Sequence, residues 1–153
     1  MTGAPGSIES VYREQYARLW RALLAFGGDP EAASDAATEA FAQALGHGDA
    51  LRSPADWIWV TAFRIVRGEL KIKPVGRVRL TDGTYEIPEP VDHLVAALRR
   101  LSERQRLAIV LHDYADRPVK EVASVLGTTT ATVYVHLSQG RKRLRSLLGE
   151  RDG

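Results

Sequence analysis

The sequence contains no cysteine. That removes disulfides, thiolate zinc sites and cysteine nucleophiles together. It also fits a reducing compartment, so a cytoplasmic location is expected. Long apolar runs are missing too: every hydrophobic stretch is short and broken by charge, and no membrane span is predicted. The start, Met1 to Ser7, has neither a basic cluster nor an apolar core and does not read as a secretory signal. Catalytic patterns are equally scarce. His47, His93, His112 and His136 are scattered without metal-ligand spacing. The glycines form no phosphate-cradling loop after a strand, and no Ser–His–Asp arrangement can be drawn. No enzymatic activity, metal, cofactor or small-molecule substrate is therefore expected.

Acids are absent from one stretch in particular. From Thr128 to Leu148 the charged residues are Arg141, Lys142, Arg143 and Arg145, in a chain whose net charge is only +2. A local basic block points to a polyanionic partner. The plainer reading is a solvated helix end, where cations suit the negative pole of the macrodipole.

What is present is helical. The chain has 153 residues, 44% hydrophobic and 26% charged, enough for one ordinary domain or two small ones with buried cores. Tyr12, Tyr16, Leu19, Leu23 and Phe26 recur at helical spacing until Gly27-Gly28. Asp29-Pro30 restarts the helix, an N-cap side chain followed by proline at the first position. Ala33, Ala37, Phe41 and Leu45 then share a face before Gly46-His47-Gly48. Ser53-Pro54 repeats the start signal. Trp59, Phe63, Val66 and Leu70 follow on one face, beside a stripe of Ile58, Ala62 and Ile65. This helix is apolar over a wide arc and is expected at the centre of a first domain, 1–73. Pro74, Gly76, Gly83, Pro88 and Pro90 then mark an interdomain linker, 74–91; a small hairpin around Asp82-Gly83 is the alternative there.

A second domain is expected over 92–153. Leu94, Leu98 and Leu101 mark a short helix, and Ser102-Glu103-Arg104-Gln105 reads as a capping box. Leu107, Val110, Leu111 and Tyr114 follow on one face, and Asp116-Arg117-Pro118 makes a turn. Val119 to Leu126 is a short amphipathic helix with Val122, Ala123 and Leu126 facing inward. Gly127 closes it, and Thr128, Thr129 and Thr130 are candidate N-caps for a longer helix with Val133, Leu137, Gly140 and Leu144 buried. Small Ala123 at the crossing, permissive Gly127 at the turn and apolar Val133 beyond it have the offsets of a helix-turn-helix. The fold class is thus all-α: two small helical domains joined by a Pro/Gly-containing linker, the C-terminal one a helix-turn-helix.

The outward face of the last helix would present Ala131, Thr132, Val135, Ser138, Gln139 and Lys142. Small and hydrogen-bonding side chains admit a helix to the major groove, and Gln bonds adenine bidentately. Thr130 and the helix N-terminus suit a phosphate, and Arg141 and Arg143 add backbone attraction. His136 reads as groove-facing or interhelical. A plain helical hairpin with a polar face is the alternative.

These residues resemble a family. The chain is similar to the bacterial RNA polymerase sigma factors of the extracytoplasmic-function group of the sigma-70 family, over nearly its whole length except the N-terminal tail and linker. Val11–Tyr16 and Gly28–Ala33 resemble the start of the family's first domain, and Asp35–Phe41 its polymerase-binding helix. Pro54–Ile58 with Ala62-Phe63-Arg64 resembles the helix that reads and melts the −10 element. Leu101–Arg106 and Thr132–Ser138 resemble the second domain, which reads the −35 element.

The resemblance implies promoter DNA and the polymerase core enzyme as partners, and an anti-sigma protein as a further one. Glu31, Asp35 and Glu39 line one helix face; on their own they read as a solvated surface, and with the resemblance they, Thr38 and Phe41 become the polymerase contact. Arg64, Arg67, Lys71 and Lys73 form a basic edge suited to a DNA strand, and the Trp57, Trp59 and Phe63 cluster adds rings on which unpaired bases could stack beside its core role. In the second domain the resemblance adds Tyr134 and His136 to Thr130, Thr132, Val135, Ser138, Gln139, Lys142 and Arg143 as DNA contacts. The chain departs from the family at Thr38 for glutamine, at Arg64 for asparagine, at Gly68-Glu69, and at Tyr134 and Gln139 where cations are frequent. Two alternatives stay open: a sigma-like regulator that binds DNA without initiating transcription, and a protein that only binds polymerase or an anti-sigma protein.

Overall fold

Seven α-helices make up most of what the structure, a computed structural model, describes: residues 7–69 and 89–149, with side chains from residue 93 onward in the second stretch. The chain divides into two compact units, 1–83 and 84–153, and each is treated by itself. No strand occurs among the described residues. The hairpin considered at Asp82-Gly83 lies outside them.

In the first unit, α1 spans Ile8–Gly27, α2 Pro30–His47 and α3 Pro54–Val66. The Ser7 hydroxyl accepts from the Ser10 N–H at 3.1 Å and caps α1. At the other end Gly28 turns left-handed (φ 78°) and returns its N–H to Leu24 at 2.7 Å. The Asp29 carboxylate takes the Glu31 N–H at 3.0 Å and Pro30 opens α2. Ser53 precedes α3 but makes no side-chain cap bond, so Pro54 alone carries that start.

The three helices pack on one another through Leu19, Leu23, Phe26, Phe41, Ile58, Trp59, Ala62 and Phe63, all buried. From α2 the seam is almost entirely alanine: Ala33, Ala36, Ala37, Ala40 and Ala44 are at most 1% exposed. Leu45, expected on that face, is 61% exposed. Two indoles tie the bundle across helices: Trp20 Nε1 donates to Ser34 Oγ at 2.9 Å, and Trp59 Nε1 to Gln15 Oε1 at 2.8 Å. The helix α3 stops at Val66, followed by Gly68 with φ 83°, so the expected stripe does not reach Leu70 as helix; Leu70 lies outside the described residues.

In the second unit, α4 spans Glu89–Leu98, three residues earlier than the Asp92 start expected, with Pro90 tolerated in its first turn. The capping box forms: Gln105 N–H to Ser102 Oγ at 3.2 Å, Ser102 N–H to Gln105 Oε1 at 3.3 Å. It opens α5, Glu103–Ala108, which widens into a π-helical turn over Ile109–Tyr114. The wider turn hydrogen-bonds the Ala115 N–H to Val110 O at 3.0 Å. It rotates the helix so that Ala115 is buried and Tyr114 is 42% exposed, correcting the expectation that Tyr114 faces inward.

The helix α6 spans Val119–Leu126 and α7 Thr130–Gly149. Ahead of α6 the chain turns at Asp116, whose φ of 57° is the only positive value at a non-glycine among the described residues. Arg117 then forks onto Glu121, with both bonds at 2.7 Å and side chains only 13% and 7% exposed. The pair pins the start of α6 to the loop that feeds it.

Candidate nucleic-acid interface

The geometry of the α6–α7 turn follows from three residues. Gly127 sits at φ 68°, a conformation that strains any residue with a Cβ, and its N–H returns to Ala123 O. Ala123 is small enough for α7 to cross close above it, and Val133 anchors α7 with no exposed surface. Among the three threonines the cap is Thr129: its Oγ1 accepts the Thr132 N–H at 3.2 Å and meets Thr132 Oγ1 at 3.0 Å. Thr130 is the first helical residue and is exposed, beside first-turn N–H groups that the helix itself cannot pair.

Val133, Leu137 and Gly140 bury one side of α7. On the opposite side Tyr134 is 59% and Val135 51% exposed, with Ser138, Gln139, Lys142 and Arg143 also open to solvent. Arg143 is exposed, and its Nε donates to the Arg100 carbonyl at 3.3 Å. His136 departs from the expected set. Its side chain is half-buried, and Nε2 is buried with no hydrogen-bond partner, so the ring faces the protein interior rather than a groove.

Arg141 also differs from expectation. Its guanidinium forks onto Asp113 at 2.8 and 2.6 Å, from 28 residues away in sequence. That hydrogen bond raises the Arg141 pKa above its usual value. A fork committed to a carboxylate contributes little attraction to a phosphate. Asp113 lies in the π turn, which a regular helical period in the sequence does not display. Burial, reinforced by repulsion from Arg99, holds Arg106 on α5 below the usual arginine range.

The first unit divides its candidates differently. Glu31 is exposed, and Asp35, Thr38 and Glu39 are half-exposed along α2; Glu39 accepts from Gln43 Nε2 at 2.9 Å. Phe41 is 1% exposed and packs on the Tyr12 and Tyr16 rings at 5.4 and 5.9 Å between centroids. It belongs to the core, which corrects its assignment as a surface contact. On α3, Trp59 and Phe63 are likewise core, stacked at 6.3 Å. Trp57 is half-buried with its ring edge against His47 at 5.0 Å. With Leu51, Arg52, Ser53, Asp56 and Val60 it lines an open hollow of about 350 Å³.

Arg64 and Arg67 both reach Glu69, at 3.5 and 2.8 Å, and the Arg67 side chain is only 11% exposed. The single Glu69 carboxylate thus offsets one of the two guanidinium charges on the basic edge expected there; Lys71 and Lys73 lie outside the described residues. Among the described residues no three His, Cys, Asp or Glu side chains gather as a metal site requires. Nor is any described helix long and apolar enough to cross a membrane.

Residues 92–144 match the family model described as Sigma-70, region 4. Two solved structures share the fold. One is the sigma factor RpoE in complex with the anti-sigma factor NepR from Bartonella quintana, 19% identical, with a TM-score of 0.66 over 88% of this chain and 91% of that one. The other is CnrH in complex with the cytosolic domain of CnrY, 20% identical, with a TM-score of 0.71 over 97% of this chain and 91% of that one.

Proposed function

We propose that the chain, whose residues 92–144 match the Sigma-70, region 4 model, is a sigma factor of the extracytoplasmic-function kind, directing RNA polymerase core to specific promoters. The observation that carries this reading is α7: an acid-free helix held across α6 by Gly127, with an uncharged stretch exposed on one side and cations beyond it. Such a helix enters a major groove and positions itself by phosphate contacts. In this reading 92–153 binds the −35 element through Thr130, Thr132, Tyr134, Val135, Ser138, Gln139, Lys142 and Arg143. Residues 1–73 bind polymerase through the Glu31, Asp35, Thr38 and Glu39 face of α2 and the −10 element beside α3, with 74–91 as the linker. The work is done by differential binding, with no chemical step, in the cytoplasm. An anti-sigma protein is a further partner, as one is for RpoE in its complex with NepR.

One observation favours a second reading. Glu69 occupies both Arg64 and Arg67, which suits a regulator that binds duplex DNA without opening it. Co-elution of the full chain with purified bacterial core polymerase, followed by run-off transcription on genomic fragments, separates the two. Stable co-elution with new transcripts is expected. Failure to co-elute, with duplex binding intact, would establish the second reading instead.

A further inference from the structure

We infer that α7 is built to read an A·T step, with Val135 packing on a thymine methyl and Gln139 bonding the neighbouring adenine, and that its stretch from Thr130 to Gly140 holds no cation to read guanine. The inference rests on the proposed role of α7 in the major groove and adds the base-pair class to it.

Side chains near the N-terminus of a recognition helix reach base edges, while later ones lie over the backbone. From Thr130 to Gly140 α7 carries no charged side chain. Guanine presents two acceptors, N7 and O6, and the favoured reader is a guanidinium fork or an ammonium. The first guanidinium on α7 is Arg141, whose Nε and Nη2 edge is engaged by Asp113 at 2.8 and 2.6 Å. The first ammonium, Lys142, comes three residues after Gln139, about 4.5 Å further along the axis, at the backbone end of the reading stretch. What the reading stretch does expose is an aliphatic surface, Val135 at 51% with Ala131 one turn before it, and the Gln139 carboxamide one turn after.

Thymine alone among the four bases carries a C5-methyl in that groove, and adenine alone offers N7 and N6 in the pattern a carboxamide matches. Val135 and Gln139 are four residues apart, so their side chains lie side by side and about 6 Å apart along the helix, within reach of adjacent base pairs. Charge complementarity identifies duplex DNA as the occupant of this otherwise apolar face. Lys142, Arg143 and Arg145 follow the uncharged stretch, and no acid occurs between Thr128 and Gly149.

The test selects duplexes from a random pool with the full chain and then removes single methyl groups. An A·T-centred site is expected. Replacing the thymine opposite Val135 with deoxyuridine should weaken binding about fourfold, the contribution of one methyl group buried. In Val135→Ala, an exposed helical substitution compatible with folding, the same replacement should have no effect. Gln139→Ala should lose about tenfold on the selected adenine and little on other sites. A G·C-centred site, or equal methyl dependence in wild type and Val135→Ala, overturns the inference while leaving α7 as a promoter-reading helix. Enrichment of no duplex, by the chain alone and by its complex with core polymerase, overturns both.

Discussion

Replacing Gly140 with alanine puts a methyl group against Gln105 of α5 and Ile109 of the π turn. The added Cβ would lie 2.7 Å from Ile109 Cδ1, 3.2 Å from Gln105 Cβ and 3.4 Å from Ile109 Cγ1. Ile109 Cδ1 is a side-chain end and can swing, but Ile109 is only 5% exposed and has little room. Gln105 Cβ is fixed to the α5 backbone, so the two helices must separate by a few tenths of an ångström. Overpacking of this kind costs about 1–3 kcal/mol, whereas alanine recovers about 1 kcal/mol of helix propensity over glycine. The net expectation is a destabilisation of about 1 kcal/mol. In a unit of this size that lowers the melting temperature by roughly 4–8 °C.

The three tryptophans, Trp20, Trp57 and Trp59, all lie in the first unit. Their fluorescence therefore serves as an internal control. Thermal unfolding followed by far-UV circular dichroism should shift for the second unit, while the tryptophan transition stays in place. Ile109→Val, which deletes the nearest atom and alone costs about 0.5–1.5 kcal/mol, should remove most of the Gly140→Ala penalty in the double variant. A stabilised Gly140→Ala, or an equal penalty in both backgrounds, would refute the close-contact argument.

Glu121→Gln breaks the fork onto Arg117 in a half-dry setting and should cost about 2 kcal/mol in urea unfolding. The double variant Arg117→Met/Glu121→Leu should recover part of that loss, since no unpaired charge is left behind. Ser102→Ala removes one arm of the capping box and should cost about 1 kcal/mol, read as faster amide exchange in the first turn of α5. Arg143→Ala should weaken every duplex alike and lower the slope of log affinity against log salt by about 1, as titrations at several salt concentrations would show.

The two small helical units, the helix starts at Pro30, Pro54 and Glu103, and the α6 and α7 boundaries follow from local signals: a proline, a capping hydroxyl, a left-handed glycine. Such signals act within a few residues, so a sequence displays them. The π turn at Ile109–Tyr114 leaves no such mark. A strict 3.6-residue period carried across it puts Tyr114 inside and leaves Asp113 without a role. The fork of Arg141 onto Asp113 is a contact between distant residues, and nothing in the local pattern distinguishes a bound arginine from a free one. Phe41 shows the opposite limit. It sits within the stretch resembling a binding helix, yet its position beside the alanine seam, in register with Ala33 and Ala37, already argues for the core. The spacing of His136 allows both groove and interior, and only packing distinguishes them.

The alanine seam of α2 also separates two duties on one rod. Because methyl groups fill the inward side, there are few rotamers to order and almost no slack in volume. Change there is confined: a single larger side chain would wedge apart both neighbouring helices. Glu31 is exposed, and Asp35, Thr38 and Glu39 are half-exposed, on the other side of the helix. Their identities are free to drift, or to be exchanged by design, while the scaffold stays fixed. If that face binds polymerase, as proposed, the helix is an interchangeable label on a rigid mount, and its affinity can be rewritten without refolding the unit that carries it.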